Sequence, residues 1–384
     1  MITIEKIDTE SKSDVKRFID MPYHLYEDCA EWVPPIRIDM EEQLNRQKHP
    51  FYEHSDVEFF ITTRDGKDVG RIAALENRPY NQYHNKKNIN FYYFEAEDDQ
   101  DISNKLFETV FDWGRARGLD TAVGPKGLGI LDGYGILIEG FEHHPMMTMM
   151  NYNHPYIPQH MEAMGFEKEV DFVSCYLGSS DIKVPERVHR IADRVQERGT
   201  LKVKRFKNKK ELSDWAPRIG RAYNDTFVNN WEYYPLSDNE IDYILQNILT
   251  IADPSLIKII VHGEDVVGFL FGFADVSKAI QRSKGYLFPS KERPFSFGII
   301  DLFISLKLRR TDWVALNGMG ILPEFQGRGG NALLYSEMEK TVHEFGFEHA
   351  DMTQIAESAV QMRRDLINLG GKPYKNHRVY TKAI

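Results

Sequence analysis

Residues 315–342 restrict the fold more than any other stretch of the chain. Ala315 to Leu322 is small and apolar and stops at Pro323, as a buried strand would. A glycine-dense turn follows, Gln326-Gly327-Arg328-Gly329-Gly330-Asn331. Beyond it Leu334, Met338, Val342 and Phe345 recur at spacings of four, four and three, which predicts a helix with one buried face. Strand, glycine turn and helix in that order set free backbone N–H groups at the positive end of a helix, an arrangement that holds a phosphate or pyrophosphate. Glycine suits the turn because a side chain would keep the ligand off the backbone. Arg328 adds a fixed positive charge. The plainer alternative is a glycine-rich connection that binds nothing.

No Gly-Lys-Ser/Thr follows, so the turn is not a nucleotide P-loop, and its spacing is not the dinucleotide G-x-G-x-x-G. The stretch resembles motif A of the GNAT superfamily of N-acetyltransferases, in which a strand ending V-x-P precedes Q/R-x-x-G-x-G/A and a helix. Ile321 and Pro323 match the strand end, Gln326, Gly327 and Gly329 match the loop, and Asn331 stands where the family prefers Gly or Ala. The resemblance implies acetyl-coenzyme A, or another acyl-coenzyme A, as co-substrate, with no metal. It implies a pyrophosphate cradle at Gln326, Gly327, Arg328, Gly329, Gly330 and Asn331. Backbone N–H groups at Met319, Gly320 or Ile321 would meet the thioester oxygen. Gly318 and Gly320 favour a strand bulge, which the family uses to admit the pantetheine arm between two strands.

The rest of the chain predicts an α/β fold with a mixed sheet, built as two tandem GNAT-like domains. Val57–Thr62 and Val69–Leu75 form a hairpin about Asp65-Gly66, and Ile257–Val261 and Val266–Phe273 form another about residues 263–265. Asp68-Val69-Gly70-Arg71-Ile72 in the first hairpin recurs as Val266-Val267-Gly268-Phe269-Leu270 in the second. The polar run Gly178-Ser179-Ser180-Asp181 suggests domains at 1–180 and 181–384. Where the second half has its glycine loop, the first reads Glu95-Ala96-Glu97-Asp98-Asp99-Gln100-Asp101. Five carboxylates would each repel a pyrophosphate by about 1 kcal/mol, with no backbone cradle to offset it. These acids suit a helix N-terminus instead. The first domain is therefore expected to cover the active site, help bind the acceptor, or mediate self-association as a homodimer.

Transfer to an amine needs a base for the ammonium and an acid for the departing thiolate. The resemblance places the family's acidic tyrosine at Leu366, so that group is missing. Tyr335, Tyr374 and Tyr380 are the available substitutes, each with an ordinary structural role as the alternative, and Glu357 is the candidate base, then His343. Trp231, Tyr233 and Tyr234 form either an acceptor pocket or a domain interface. The expected function is N-acylation of a primary amine on a small-molecule or amino-acid-like acceptor. A non-catalytic acyl-coenzyme A sensor and an aminoacyl-tRNA-dependent tandem transferase are the alternatives.

The formal net charge of −10 argues against nucleic acid and anionic membranes as partners. Two cysteines among 384 residues, a charged N-terminus and no apolar run long enough to span a bilayer suggest a soluble cytoplasmic protein.

Overall fold

The computed structural model describes residues 1–384 other than 147–148, 179–183, 229, 232, 292 and 308–309. The strands are β1 (Ile2–Lys6), β2 (Asp56–Arg64), β3 (Lys67–Glu76), β4 (Asn88–Ala96), β5 (Thr121–Gly124), β6 (Ile136–Glu139), β7 (Glu167–Gly178), β8 (Lys202–Lys204), β9 (Ile257–His262), β10 (Asp265–Ala274), β11 (Trp313–Ile321), β12 (His349–Ala356) and β13 (Lys372–Ala383). They are distributed over two compact units. One is Met1–Val173 with Ser277–Phe303 and Lys375–Ile384; the other is Ser174–Val276 with Ile304–Tyr374. The division differs from a simple cut at residue 180, a position outside the described residues. Two later segments return to the first unit because their apolar and polar groups find partners there. Tyr380 packs in its core, and Gln281 Nε2 donates to Ala30 O and Trp32 O, both at 2.9 Å.

In the first unit β1, β2, β3, β4 and β5 run in that order, with β13 beside β5 and β7 beyond it. Neighbours are antiparallel through β4, and β4 pairs with β5 in parallel. The Asp65-Gly66 turn has left-handed backbone at both residues, φ 52° and 78°, which matches the twist of a tight hairpin. Alternate residues of β2 bury on opposite faces: Val57, Phe59 and Ile61 join one core, and Phe60 joins the other. The helix Lys12–Leu25 covers the first face through Phe18 and Ile19; Gln100–Arg115 covers the second through Ile102, Leu106, Phe107 and Val110. Each fully buried Phe stabilises the unit by roughly 2–3 kcal/mol. At the terminus of the second helix Asp99 accepts from Asp101 N at 2.8 Å and pairs with Arg64, so this end is already satisfied by a carboxylate.

The second unit repeats the plan with β8, β9, β10, β11 and β12 in order, followed by the end of β7. Only β11 and β12 are parallel among the pairs β8–β9, β9–β10, β10–β11 and β11–β12. Phe269 and Phe271 of β10 face the helix Lys209–Thr226, whereas Gly268 and Gly272 lie toward the helix Gly330–Phe345. Among the described residues no helix is long and apolar enough to cross a membrane.

Candidate functional site

The site is built where β11 and β12 part. Their pairing runs from Trp313↔His349 to Leu316↔Met352, although β11 continues to Ile321 and β12 to Ala356. Opposite β10 the register jumps, because Asn317 and Gly318 of β11 stand against the single residue Phe271, a β-bulge with Gly318 at φ 88°. On β12, two residues past the last pair, Gln354 is also left-handed at φ 46°, and its N–H donates to Ser174 Oγ at 3.1 Å. Two irregular backbones thus hold the strands apart. The first unit has the same device in β4, where Tyr93 has φ 51° at a register jump against β3 and parallel pairing with β5 ends at Asn90↔Val123. There Lys126 N donates to Phe91 O at 2.9 Å, so the following loop occupies the parted edge.

Beside the parting, a short 3-10 turn, Pro323–Phe325, leads through Gln326 to the helix Gly330–Phe345. Gly329 is its N-cap at φ 86°, no side chain caps it, and the hydrogen bond from Leu333 N to Gly329 O at 3.3 Å enters its first turn. The N–H groups ahead of Leu333 are the orphan donors of a helix start. Gln326, Gly327 and Arg328 are exposed; Gln326 Nε2 donates to Ile321 O at 3.2 Å, and the Arg328 guanidinium lies 4.9 Å from the Phe325 ring centre. A Cβ on Gly327 (φ 73°) would meet nothing within 4 Å, so that turn faces open space. Gly329 differs. Its Cβ would come within 2.7 Å of Val195 and 3.1 Å of Ile191, on a helix, Glu186–Arg198, that lies over the glycine turn. That cover is tied down by His189, whose Nε2 is 2.9 Å from Glu339 and whose Nδ1 is 3.1 Å from Ser336 Oγ. Glu337 is buried on the same helix. Burial pushes its carboxyl up, but hydrogen bonds from Lys340 and Arg205 outweigh that and leave it below the usual range.

No family model matches the chain. The "Bacterial ceramide synthase" of Caulobacter vibrioides is 27% identical over 383 residues, covering 98% of this chain and 97% of that protein. "Protein YghO" of Escherichia coli is 26% identical over 378 residues, covering 97% and 94%. Among solved structures, a tandem GNAT protein from the clavulanic acid biosynthesis pathway aligns with a TM-score of 0.57 at 11% identity, over 100% of this chain and 98% of that one. The fold is a tandem GNAT fold.

In this GNAT fold the residues expected to form the cradle, Gln326, Gly327, Arg328, Gly329, Gly330 and Asn331, and the strand residues Met319, Gly320 and Ile321 all lie in the second unit, joined by the short turn Pro323–Phe325. Glu357 follows directly on β12, half-buried at the open end of the parting. Tyr335 sits on the glycine-loop helix with its hydroxyl toward Met362 Sδ at 3.8 Å; burial pushes its pKa above the usual range. Tyr380 lies in the core of the other unit, 1% exposed, with its pKa pushed up to about 12 by burial. Of the aromatic trio, Tyr234 is buried and its hydroxyl donates to Glu240, whose carboxylate also accepts from Ser237 N in a capping box. Trp231 and Tyr233 are half-buried beside it.

Sequence reasoning did not single out the residues that wall the bulge. Thr226, at the end of the helix Lys209–Thr226, abuts Gly320: a Cβ there would stand 2.2 Å from Thr226 Cγ2 and 3.0 Å from Phe269 Cζ. Tyr223 stacks on Phe269 at 5.6 Å, and Phe269 stacks on Phe271 at 4.9 Å. Together they put an apolar, aromatic wall beside the parted strands. The i, i+2 repeat of Phe269 and Phe271 is the one signal in the sequence that points to this face.

Proposed function

We propose that the protein is an N-acyltransferase that takes an acyl group from acyl-coenzyme A to the primary amine of a long-chain amino alcohol. The single observation that carries the reading is the parting of β11 and β12 beside an uncapped, glycine-turned helix start. The N–H groups at residues 326–331 bind the pyrophosphate, and the pantetheine arm enters between the strands. A backbone N–H at Met319, Gly320 or Ile321 donates to the thioester oxygen as it gains charge. The neutral amine attacks the carbonyl carbon, the C–S bond breaks, and coenzyme A leaves as the thiolate while the amine proton passes to Glu357 or to water. The acceptor class draws on the relative named as a ceramide synthase, since a ceramide is the amide of a long-chain amino alcohol. The aromatic wall of Tyr223, Phe269 and Phe271 suits the apolar part of such reactants.

A second reading, an acyl-coenzyme A-binding protein without catalysis, draws on Leu366. It stands where the family keeps its tyrosine and is 4% exposed. One experiment separates the two. Calorimetric titration with acetyl- and palmitoyl-coenzyme A is run on the native protein and on Gly327→Glu, whose side chain would enter open space and cost about 1 kcal/mol of backbone strain. Binding lost in the variant supports the cradle; thiol release with sphinganine supports the transferase. Binding without thiol release for any amine leaves the sensor, and no binding overturns both.

A further inference from the structure

The insertion between β10 and β11 carries an apolar surface that acyl transfer does not use. Its helix, Gly298–Lys307, turns Leu302 and Ser305 inward, at 8% and 6% exposure. The opposite side is equally apolar: Ile299 and Ile300 are 36% and 52% exposed, and Phe303 is 57% exposed. In the loop ahead of the helix Phe288, Phe295 and Phe297 are 52%, 87% and 56% exposed. A surface helix normally keeps its outward side polar, so a row of large apolar residues facing water marks a contact surface. The base of the insertion is anchored. Arg37 packs its guanidinium 4.1 Å from the Tyr286 ring, and Arg37 N donates to Gly285 O at 3.1 Å. The apolar end is therefore presented by a fixed stem.

Charge identifies the occupant. Residues 277–310 contain eight Lys and Arg against two acids, in a chain whose formal net charge is −10. The acid on the helix, Asp301, is bound by Arg282 through two contacts of 2.8 Å. Lys284 and Lys291 are exposed in the same segment as Phe288, Phe295 and Phe297. Exposed Phe and Ile side chains on a segment with this excess of cations fit an anionic lipid surface: the rings enter the acyl boundary and the cations meet the phosphates. A second copy fits poorly, because a twofold contact through this patch sets its cations against themselves. The helix has ten residues, about 15 Å of length, so it lies in the interface and does not span. The whole-chain charge argued against anionic membranes; the local balance has the opposite sign.

We propose that the aromatic end of the insertion docks the protein reversibly on an anionic bilayer, with Phe295, Phe297 and Ile300 inserted and Lys284 and Lys291 at the headgroups. This rests on the insertion alone and not on the transferase reading. The test is co-sedimentation of the full chain with extruded vesicles, without coenzyme A. Phosphatidylcholine vesicles are compared with equal mixtures of phosphatidylcholine and phosphatidylglycerol, at low and high salt. Binding to the anionic vesicles is expected, at least tenfold stronger than to the neutral ones and weakened by salt. The exposed substitutions Phe295→Ser, Phe297→Ser and Ile300→Ser together should lower it at least tenfold, with an unchanged melting temperature. Lys284→Glu with Lys291→Glu should lower anionic binding and abolish the salt dependence. Protein that stays in the supernatant with anionic vesicles, or sediments equally well in both variants, overturns the proposal. So does light scattering that shows a dimer in the native protein and a monomer in the triple variant, with no vesicle binding.

Discussion

Gly318 and Gln354 hold left-handed backbone, φ 88° and 46°, two residues past the paired residues Leu316 and Met352 of neighbouring parallel strands. Glycine takes that conformation freely; glutamine does so at a cost of about 1–3 kcal/mol. Gln354→Gly should therefore keep or raise stability, whereas the β-branched Gln354→Val should lower it by about 1–3 kcal/mol. Urea titrations of the two variants decide this, and equal midpoints would show that the left-handed residue is not a constraint.

The close approach of Thr226 to Gly320 gives a cycle. Gly320→Ala places a methyl within 2.2 Å of Thr226 Cγ2 and should cost about 1–3 kcal/mol. Thr226→Ser deletes that Cγ2 and keeps a hydroxyl for the 2.6 Å bond to Ala222 O. The double variant should recover part of the loss, a positive coupling measured in a double-mutant cycle. Simple additivity would show that the clash lies elsewhere.

His377 predicts an acid limb of stability. It is 1% exposed, its Nε2–H donates to Asn151 O at 3.0 Å, and burial first, then Lys375, push its pKa down from 6.5 to about 4. The unfolded chain takes up the proton first on acidification. The His377 contribution is complete above about pH 6.5 and is lost as pH falls toward about 4, by roughly 3 kcal/mol. His377→Gln should flatten this part of the pH profile in chemical denaturation.

For the reaction, Glu357→Gln should lower turnover by about 10²–10⁴-fold and leave acyl-coenzyme A binding within about twofold. Tyr335→Phe should leave turnover within a few-fold, because that hydroxyl faces Met362 rather than the parted strands. Stopped-flow thiol release with calorimetric Kd values checks both. A large loss in Tyr335→Phe would make it the acid that replaces the missing family tyrosine.

Local order along the chain was legible because short-range physics sets it. Residues 315–345 gave strand, glycine turn and helix through apolar spacing, Pro323 and the glycine cluster. Asp65-Gly66 marked its hairpin, Thr121–Gly124 its strand, and Asp99 and Asp101 the start of a helix, whereas Glu95, read with them, lies on β4 and pairs with Arg71 at 2.7 Å. Other features depend on groups distant in sequence. Nothing local in residues 277–303 or in Tyr380 shows that they join the first unit, since partners such as Ala30 for Gln281 and Gly124 for Tyr380 lie more than 200 residues away. The cover of Val195 over Gly329, the wedge of Thr226 against Gly320 and the left-handed turn at Gln354 are likewise products of packing. The sequence by itself determined which segments are strands and helices and where a glycine turn opens a helix with no side-chain cap. Tertiary structure alone decided which strand edges part, which side chains wall the gap and which apolar helix face stays in water, because each depends on side chains brought together by folding.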